Sequence, residues 1–284
     1  MVQGPPATKE ARAKLSHAEL REKARQVRVD ALKMTTAAGS GHPGGSMSMA
    51  DVLAVLYYNR MRIDPANPRW ADRDRFVLSK GHCCPGLYAV LGHLGFFPTS
   101  EFERLRKMGG LLQGHADMKV PGCDFSAGSL GMGLSFGHGV ALAARVDGRD
   151  YRTYVMMGDG ECQEGQVWEA AMAAAHYKTD NLTAILDLNG IQIDGFTRDV
   201  KNLEPIGEKW RAFGWHVIEI NGHDYEAIEK AFDEAEAVKG RPTIVIAHSV
   251  KGKGVSWMEN NKEFHGRSLT PEELKKALAE LGAA

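Results

Sequence analysis

Two short glycine-rich segments carry polar side chains whose types suit a metal ion and a bound anion. Gly158-Asp159-Gly160 follows one apolar run, and Asn189-Gly190 follows the next, thirty positions later (189 − 159). Flanking glycines let backbone N–H groups face an anion, and the helix after the first segment adds a favourable dipole. Because a carboxylate would repel a phosphate, Asp159 predicts a cation between the two, with Asn189 as a second oxygen ligand. Hard oxygen ligands favour Mg²⁺, with Ca²⁺ or Mn²⁺ as alternatives.

Both segments also have a purely structural interpretation. Gly-Asp-Gly is common in tight turns, and Asn-Gly is the commonest hairpin dipeptide. If the two segments end adjacent parallel strands, however, they lie side by side at one edge of the sheet. That juxtaposition favours a binding site over two unrelated turns.

Four of the eleven histidines lie in glycine-rich loops at the ends of predicted elements: His42, His82, His115 and His265. Histidine can pass protons near neutral pH or donate hydrogen bonds to anions and hydroxyls. One loop histidine is more often solvated than catalytic, but four such loops are expected to converge on a pocket. His138, in the apolar stretch 130–144, is interpreted instead as packed inside a helix.

The elements that must position these side chains alternate along the chain. Apolar runs predict strands at 75–79, 151–157, 182–188, 215–220 and 242–248. Helical periodicity predicts helices at 15–37, 49–58, 164–178, 225–238 and 271–281. This alternation predicts an α/β fold with a doubly wound, mostly parallel sheet flanked by helices. In such sheets, ligands bind beyond the carboxyl ends of the strands, where the glycine-rich segments fall.

Composition limits the classes of partner and location. The 284 residues are 43% hydrophobic and 25% charged with a formal net charge of −1, so nucleic acid and membrane surfaces are not expected partners. The chain has no signal peptide and no apolar run of bilayer length, which predicts a cytoplasmic protein. The four scattered cysteines are interpreted as free thiols. Residues 1–14 are interpreted as a loose leader, and 15–284 as a single diphosphate-binding domain.

The order and spacing of these motifs resemble the transketolase family, nearly end to end from about residue 15 to residue 265. The strings that carry the resemblance are 40–45 (SGHPGG), 75–82 (RFVLSKGH), 114–115 (GH), 128–131 (GSLG), 158–165 (GDGECQEG) and 189–195 (NGIQIDG). The resemblance implies the thiamine-diphosphate-binding fold and its diphosphate-binding domain. It also implies thiamine diphosphate as the cofactor.

The resemblance assigns roles to the matching positions around the diphosphate. Asp159, the Asn189 side chain and the Ile191 carbonyl would be the metal ligands. The Gly160 N–H would contact the diphosphate, and His82 would donate a hydrogen bond to it.

Other matching positions concern the rest of the cofactor and the substrate. Gly128 and Leu130 would contact the aminopyrimidine end of the cofactor. His42 and His265 would serve proton transfers and substrate oxygens, with His265 also near the diphosphate. His115 would bind the hydroxyls at the transferred end of the sugar.

Two acids on the helix after the Gly-Asp-Gly segment, Glu164 and Glu169, resemble the family's subunit-interface acids, and Glu164 would belong to the catalytic set. A charged helical surface is an equally good interpretation of Glu169. Ala116, Met132 and 83–85 (CCP) depart from the family pattern. None of these departures removes a cofactor ligand, but they leave the sugar specificity open.

In this family a glutamate on a separate pyrimidine-binding domain activates the cofactor. The sequence has no room for that domain after His265, so we expect it, together with the groups that bind a sugar phosphate, on a partner chain. The partner would be a C-terminal transketolase subunit, and the family suggests an α2β2 heterotetramer. The chain alone should then show negligible turnover.

The resemblance implies transfer of a two-carbon ketol group from a ketose phosphate, such as xylulose 5-phosphate, to an aldose phosphate, such as ribose 5-phosphate. One alternative is a transketolase-like enzyme for another sugar phosphate or a sulfo-sugar. A second is a subunit of a 2-oxoacid-decarboxylating enzyme, which need not share the histidine loops at 41–44 and 114–115. A third is a regulatory subunit that binds a diphosphate without catalysis, although such a subunit needs no proton-shuttling histidines.

Overall fold

Within residues 13–283, which a computed structural model describes, the core sheet has five strands, all parallel. The strands are β1 (Arg75–Leu78), β2 (Thr153–Gly158), β3 (Leu182–Leu188), the short β4 (Ile191–Gln192) and β5 (Gly195–Phe196), β6 (His216–Asn221) and β7 (Thr243–His248). The core order is β1-β2-β3-β7-β6, while β4 and β5 form a separate antiparallel hairpin. The mostly parallel sheet predicted from the sequence is confirmed. The predicted leader, except residues 13 and 14, lies outside the described residues.

The helices cover both faces of this sheet. They are α1 (His17–Ala38), α2 (Pro43–Ser48), α3 (Ala50–Ala54), α4 (Cys84–Leu94), α5 (Met132–Val146), α6 (Gly165–His176), α7 (Thr197–Val200), α8 (Ile206–Ala212), α9 (Tyr225–Ala237) and α10 (Pro271–Glu280). Side chains of β2 alternate between the two faces, as strand geometry requires. Tyr154 and Met156 join a core with α1, α4 and α9, whereas Val155 and Met157 join a core with α5, α6 and α8. The fold is therefore doubly wound, as expected.

The predicted elements are present, with shifts at their ends that have local causes. The predicted helix 164–178 begins one residue later because Glu164 is extended (φ −75°, ψ 131°), and Lys178, with a positive φ of 50°, lies beyond its end. The predicted helix 49–58 is α3 followed by a π-helical turn at Val55–Arg60. His138 lies in α5 and is buried, as its interpretation as a packed helical residue requires.

The residues at the two ends of α1 fix where this helix begins and ends, and its end leads into the loop with His42. Ser16 and Glu19 form a capping box that satisfies backbone donors at the start of the helix. Gly39, in the left-handed conformation with φ 65°, ends α1 and turns the chain into the loop that carries His42. His42 then directly precedes Pro43, the first residue of α2. The position of His42 is therefore set by the end of α1 at Gly39 and the start of α2 at Pro43.

Candidate diphosphate and metal site

A cavity of about 470 Å³ opens at the carboxyl ends of the central strands. Parallel pairing places Gly158 of β2 opposite Asp187 of β3, so the segments that follow these strands start side by side. Every residue for which the sequence predicts a site role, Glu169 apart, lines this cavity: His42, His82, His115, Gly128, Leu130, Asp159, Gly160, Glu164, Asn189, Ile191 and His265. The sheet therefore brings into one pocket residues that are 223 positions apart in sequence (265 − 42).

Asp159 is a buried carboxylate without a cationic partner among the described residues. Its Oδ1 accepts a hydrogen bond from the Gly160 N–H (2.8 Å), and its Oδ2 accepts one from the Gly190 N–H (2.5 Å). Burial, with the nearby Asp187 charge, raises the pKa of Asp159 to about 6. The backbone donors and the charge of Lys251 offset the effect of burial only in part. Within residues 13–283 the carboxylate has no ion-pair contact, and a bound cation would supply one.

Asn189 and the Ile191 carbonyl lie next to this carboxylate at the end of β3. Asn189 Nδ2 donates to Asp187 (3.0 Å), which turns the amide oxygen away from that carboxylate. The amide oxygen accepts a hydrogen bond from the Ile191 N–H at 3.2 Å. The Ile191 carbonyl accepts a hydrogen bond from the ammonium of Lys251 at 2.7 Å. This carbonyl therefore already faces a positive charge.

Lys251 was not identified from the sequence, yet this residue lines the pocket. The residue is 3% exposed, and its Nζ donates to the Ile191 carbonyl and to His265 Nδ1 (2.8 Å). The described residues provide no carboxylate in ion-pair contact with it. Burial lowers the pKa of Lys251, and no ion-pair contact in this part of the chain reverses this effect. The ammonium is thus a buried donor that could bind an anion.

Three of the histidines form a tight triangle. The ring centroids of His42 and His82 are 4.9 Å apart, and each is 5.5 Å from that of His265. Burial, followed by the charge of neighbouring basic groups, lowers the pKa of His42 to about 3 and that of His82 to about 4. Burial and the Lys251 charge likewise lower the pKa of His265. At neutral pH all three rings are therefore uncharged and able both to accept and to donate protons.

His115 lies at the more open side of the same cavity. Burial and then the charges of His82 and Arg106 lower the pKa of its ring. Arg106 donates to the Ser40 hydroxyl (3.1 Å), and its charge also acts on His42. A guanidinium therefore acts electrostatically on two histidines that line the pocket.

Glu161, to which the sequence analysis assigned no role, links three backbone segments beside the pocket through hydrogen bonds. Its carboxylate accepts hydrogen bonds from the Gly131 N–H (2.9 Å), the Gly158 N–H (3.0 Å) and the hydroxyl of Ser79. Burial raises the pKa of this carboxyl group, which is 2% exposed. These bonds hold the segment with Leu130 against the ends of β1 and β2.

A family comparison agrees with this geometry. The family model described as "Transketolase, thiamine diphosphate binding domain" matches residues 19–284. The chain belongs to the transketolase family. It is 45% identical to the 6-deoxy-6-sulfo-D-fructose transketolase subunit of Clostridium sp. (strain MSTE9), covering 93% of this chain and 96% of that subunit.

Two further relatives define how much of a transketolase this chain represents. An apulose-4-phosphate transketolase subunit of Phocaeicola vulgatus is 45% identical over 86% of this chain and 87% of that subunit. The crystal structure of transketolase from Campylobacter jejuni superposes with a TM-score of 0.90 and 34% identity, over 94% of this chain but only 43% of that chain. The chain thus spans less than half the length of such one-chain transketolases. It is a transketolase-family enzyme chain with a thiamine-diphosphate-binding domain.

The residues of this transketolase chain fit a divalent metal between the strand ends. The donor set of one carboxylate, one amide and one carbonyl is oxygen only, as Mg²⁺ requires. Asp159 has a buried charge that is only partly compensated, and the Ile191 carbonyl already accepts from a cation. Among residues 13–283 no cluster of three or more His, Cys, Asp or Glu side chains could hold a metal.

The face beside the pocket of the transketolase chain exposes apolar side chains. Met132 and Phe136 of α5 and Met172 of α6 are exposed, and the backbone at Gly131, just before Met132, lies against the side chain of Glu164, the residue before α6. Glu164 and Glu169 are both exposed, and the pocket is lined by the first but not by the second. The structure therefore separates two acids that the sequence had grouped.

Proposed function

We propose that this chain is the N-terminal, cofactor-anchoring subunit of a split transketolase, built as one diphosphate-binding domain from residue 15 onward. The observation that supports this most directly is the shared pocket. Within one cavity lie Asp159, Asn189 and Ile191, the ammonium of Lys251, which has no carboxylate in ion-pair contact among the described residues, and three histidine rings. A diphosphate-containing cofactor with a metal ion satisfies both the buried carboxylate and the buried ammonium.

Asp159, Asn189 and the Ile191 carbonyl would hold Mg²⁺, with Ca²⁺ or Mn²⁺ as substitutes. His82, the Gly160 N–H and Lys251 would bind the diphosphate. The bond from Lys251 to the Ile191 carbonyl would be exchanged for one to the diphosphate, because two cations cannot share that oxygen at contact distance.

Gly128 and Leu130 would contact the aminopyrimidine. A Cβ built at Gly128 meets nothing within 4 Å, so the backbone here is open to a ring. When bound, thiamine diphosphate supplies the nucleophilic carbon and the electron sink of the reaction. Glu161 would keep this loop in place through the Gly131 N–H.

His42, His115 and His265 would act on the substrate. As an uncharged ring, His42 can take a proton from a hydroxyl and return it, whereas an imidazolium could only donate; His265 can donate a hydrogen bond to a substrate oxygen. His265 Nδ1 already accepts from Lys251, which leaves Nε2 as the donor of its neutral ring. Lys251 would therefore set the tautomer of His265 as well as bind the diphosphate. His115, on the open side, would bind hydroxyls of the transferred fragment.

We propose an anionic sugar as donor and acceptor, with xylulose 5-phosphate and ribose 5-phosphate as the first pair to assay. The charge of Arg106, which acts on His42 and His115, supports a substrate with a phosphate or sulfonate group. The two relatives named above are transketolase subunits for a sulfo-sugar and for apulose 4-phosphate, so both sugar classes belong in the same assay.

We propose a second subunit that carries the pyrimidine-binding domain and its activating glutamate, in an α2β2 assembly. The exposed apolar residues Met132, Phe136 and Met172, beside Glu164, support α5 and α6 as the docking face. Both 45%-identical relatives are named as subunits and match this chain over most of their length. The cytoplasmic location remains a prediction. No helix in the described part of the chain is long and apolar enough to cross a membrane.

The metal-dependent uptake of thiamine diphosphate tests the site. Calorimetric titration of the purified chain with thiamine diphosphate and Mg²⁺ should show binding that Asp159→Ala abolishes, because the metal loses its only carboxylate ligand. Asp199→Ala, which removes an exposed carboxylate from α7, is the matched control and should bind normally. Undiminished metal-dependent uptake by Asp159→Ala would refute the proposal.

The reaction is tested in a mixture of this chain with its partner. We expect ketol transfer from xylulose 5-phosphate, a sulfo-ketose or apulose 4-phosphate only when both chains are present, and no turnover by this chain alone. Decarboxylation of pyruvate by the mixture, without ketol transfer, would assign the chain to the 2-oxoacid class instead. Cofactor binding without any turnover in the mixture would assign a regulatory role.

A further inference from the structure

A line of buried hydrogen bonds outside the pocket leads from α1 to the backbone beside Lys251. Arg28 of α1 forms an ion pair with Asp51 of α3, and both side chains are less than 10% exposed. Asp51 also accepts hydrogen bonds from the hydroxyl of Tyr225 (2.5 Å) and from His223 Nδ1 (2.7 Å). His223 follows β6 and is itself largely buried, with 14% of its side chain exposed.

The second ring nitrogen of His223 meets a backbone donor. The Val250 N–H lies 2.9 Å from His223 Nε2. A backbone N–H can only donate, so Nε2 must be an unprotonated acceptor. The proton of the neutral ring is then on Nδ1, where it is donated to Asp51. One imidazole tautomer alone satisfies both contacts, and an imidazolium satisfies only one.

The carboxylate of Asp51 favours that tautomer because it accepts the hydrogen bond from Nδ1. Although its burial acts in the opposite direction, the charge of Arg28 and the hydrogen bonds from His223, Arg28 and Tyr225 hold the pKa of Asp51 well below its ordinary value. The carboxylate is therefore ionised throughout the neutral range and always accepts. Glu259, in the segment after Lys251, also interacts electrostatically with His223.

Val250 is the residue before Lys251, so the imidazole acts on the segment that delivers the ammonium. Next to Val250, Gly252 N–H donates to the Gly44 carbonyl (3.1 Å), and the Lys251 carbonyl accepts from the Asn260 N–H (2.9 Å). Side chains hold the ends of the segment: the Ser249 hydroxyl donates to Asp187, and the Gly254 N–H donates to Glu259 (3.0 Å). His223 provides the side-chain acceptor for the amide immediately before the lysine. A shift of that amide would move the Lys251 Nζ relative to the strand ends.

We infer that His223 is a positioning residue: its neutral ring, oriented by Asp51, holds the Val250 amide and thereby places Lys251 for the cofactor diphosphate. The inference rests on the proposed function for the role of Lys251, but the contact with Val250 stands independently of it. His223 lies outside the cavity and is not expected to touch the cofactor.

Two substitutions separate the contacts of the ring. In His223→Gln, the longer side chain can place its carbonyl oxygen where Nε2 lies and accept from the Val250 N–H. In His223→Asn, the shorter side chain can reach Asp51 but not Val250. His216→Asn is the control, because His216 begins the same strand, pairs with Glu234 (2.6 Å) and lies at the end of the sheet opposite the pocket.

The first readout is hydrogen–deuterium exchange of the full chain without cofactor. His223→Asn should speed exchange at the Val250 amide about tenfold, as expected for the loss of one hydrogen bond. Peptides from α9 and from β3 should keep their parent rates. His223→Gln should exchange within about threefold of the parent, and His216→Asn should match it.

The second readout is titration of the same chains with thiamine diphosphate and Mg²⁺. The Kd should rise about tenfold in His223→Asn, remain within about threefold in His223→Gln and be unchanged in His216→Asn. Nitrogen-15 spectra of histidine-labelled parent chain at pH 7 should show His223 neutral, with its proton on Nδ1.

Several results would overturn the inference. They are unchanged Val250 exchange in His223→Asn, a uniform rise in exchange over the whole chain, an unchanged Kd despite faster Val250 exchange, or a protonated Nε2 in the spectra. If the parent chain binds no thiamine diphosphate at all, the proposed function fails. In that case the exchange experiment and the spectra still decide whether His223 holds the Val250 amide.

Discussion

Lys80 and Lys251 are two lysines buried to the same degree in the same pocket wall, and they differ in what compensates their charge. Lys80 is 2% exposed and donates to the Asp187 carboxylate (2.5 Å) and to the Gly45 carbonyl (3.1 Å). Lys251 is 3% exposed and donates only to a carbonyl and an imidazole. The difference between them lies in the partners rather than in the burial.

The pKa values of the two ammonium groups follow this difference. Burial by itself lowers the pKa of a lysine, and for Lys80 the Asp187 charge more than reverses that effect and raises it. For Lys251, burial prevails and the pKa is lowered. Lys80 is therefore part of the structure of the protein, and Lys251 is held ready for an anion that the described residues do not supply.

The largest effect is expected from breaking the compensated pair. Lys80→Met should lower the free energy of unfolding by about 3–5 kcal/mol, because it leaves Asp187 buried and unpaired. Urea denaturation of the chain measures this loss. Lys80→Met combined with Asp187→Leu should recover part of it, and a double variant less stable than the single one would contradict the assignment of the pair.

The uncompensated lysine should behave in the opposite way. Lys251→Met should weaken the binding of thiamine diphosphate with Mg²⁺ by about 30- to 100-fold, since it removes a charge-assisted contact worth about 2–3 kcal/mol. The chain without cofactor should lose no stability, because no protein carboxylate is left unpaired. Calorimetric titration and urea denaturation test the two statements. Lys262→Met, at an exposed position nearby, is the control.

Glu161 adds a third case to the comparison of the two lysines: a buried acidic group whose hydrogen-bond partners are all neutral. Glu161→Gln keeps the shape of the side chain, but its amide group cannot accept from both Gly131 and Gly158. We expect a loss of about 1–3 kcal/mol in the free energy of unfolding. Hydrogen exchange should rise at the Gly131 amide or the Gly158 amide first. If neither amide exchanges faster, Glu161 does not hold these loops.

The last effect depends on pH and concerns His82, whose pKa is lowered to about 4 by burial and by the charges of Lys80 and Lys251. Between pH 6.5 and about 4 the unfolded chain binds a proton at this position and the folded chain does not. Stability should therefore fall as the pH falls through this window, by up to about 1.4 kcal/mol per pH unit. His82→Asn should remove this contribution, and the surface control His176→Asn should not.

Measured without cofactor, the slope of stability against pH also bears on Lys251. If the uncompensated ammonium contributes to the lowered pKa of His82, Lys251→Met should flatten the slope between pH 6.5 and 4. An identical slope in parent and Lys251→Met would show that the two groups do not interact. Urea denaturation at four or five pH values is sufficient.

The order of residues alone settles much of this protein. The core strands, which have four to seven residues with apolar runs, and the amphipathic helices can be located from the sequence, because side-chain periodicity is a local property. The segments around Asp159 and Asn189 could be placed together without a structure, since consecutive parallel strands end at the same edge of a sheet. The four histidines shared one signal, a glycine-rich loop after an element.

Only the tertiary structure shows which buried charges are paired. Lys80, which follows β1, pairs with Asp187 of β3, and β2 lies between these two strands. Lys251 contacts the Ile191 carbonyl because β7 lies beside β3 in the sheet. The segment 249–254 after β7 carried the same glycine-rich signal as the histidine loops, so Lys251 was within reach of sequence reasoning. Whether a buried lysine has a carboxylate beside it, however, depends on strand order and side-chain reach, which no local pattern encodes.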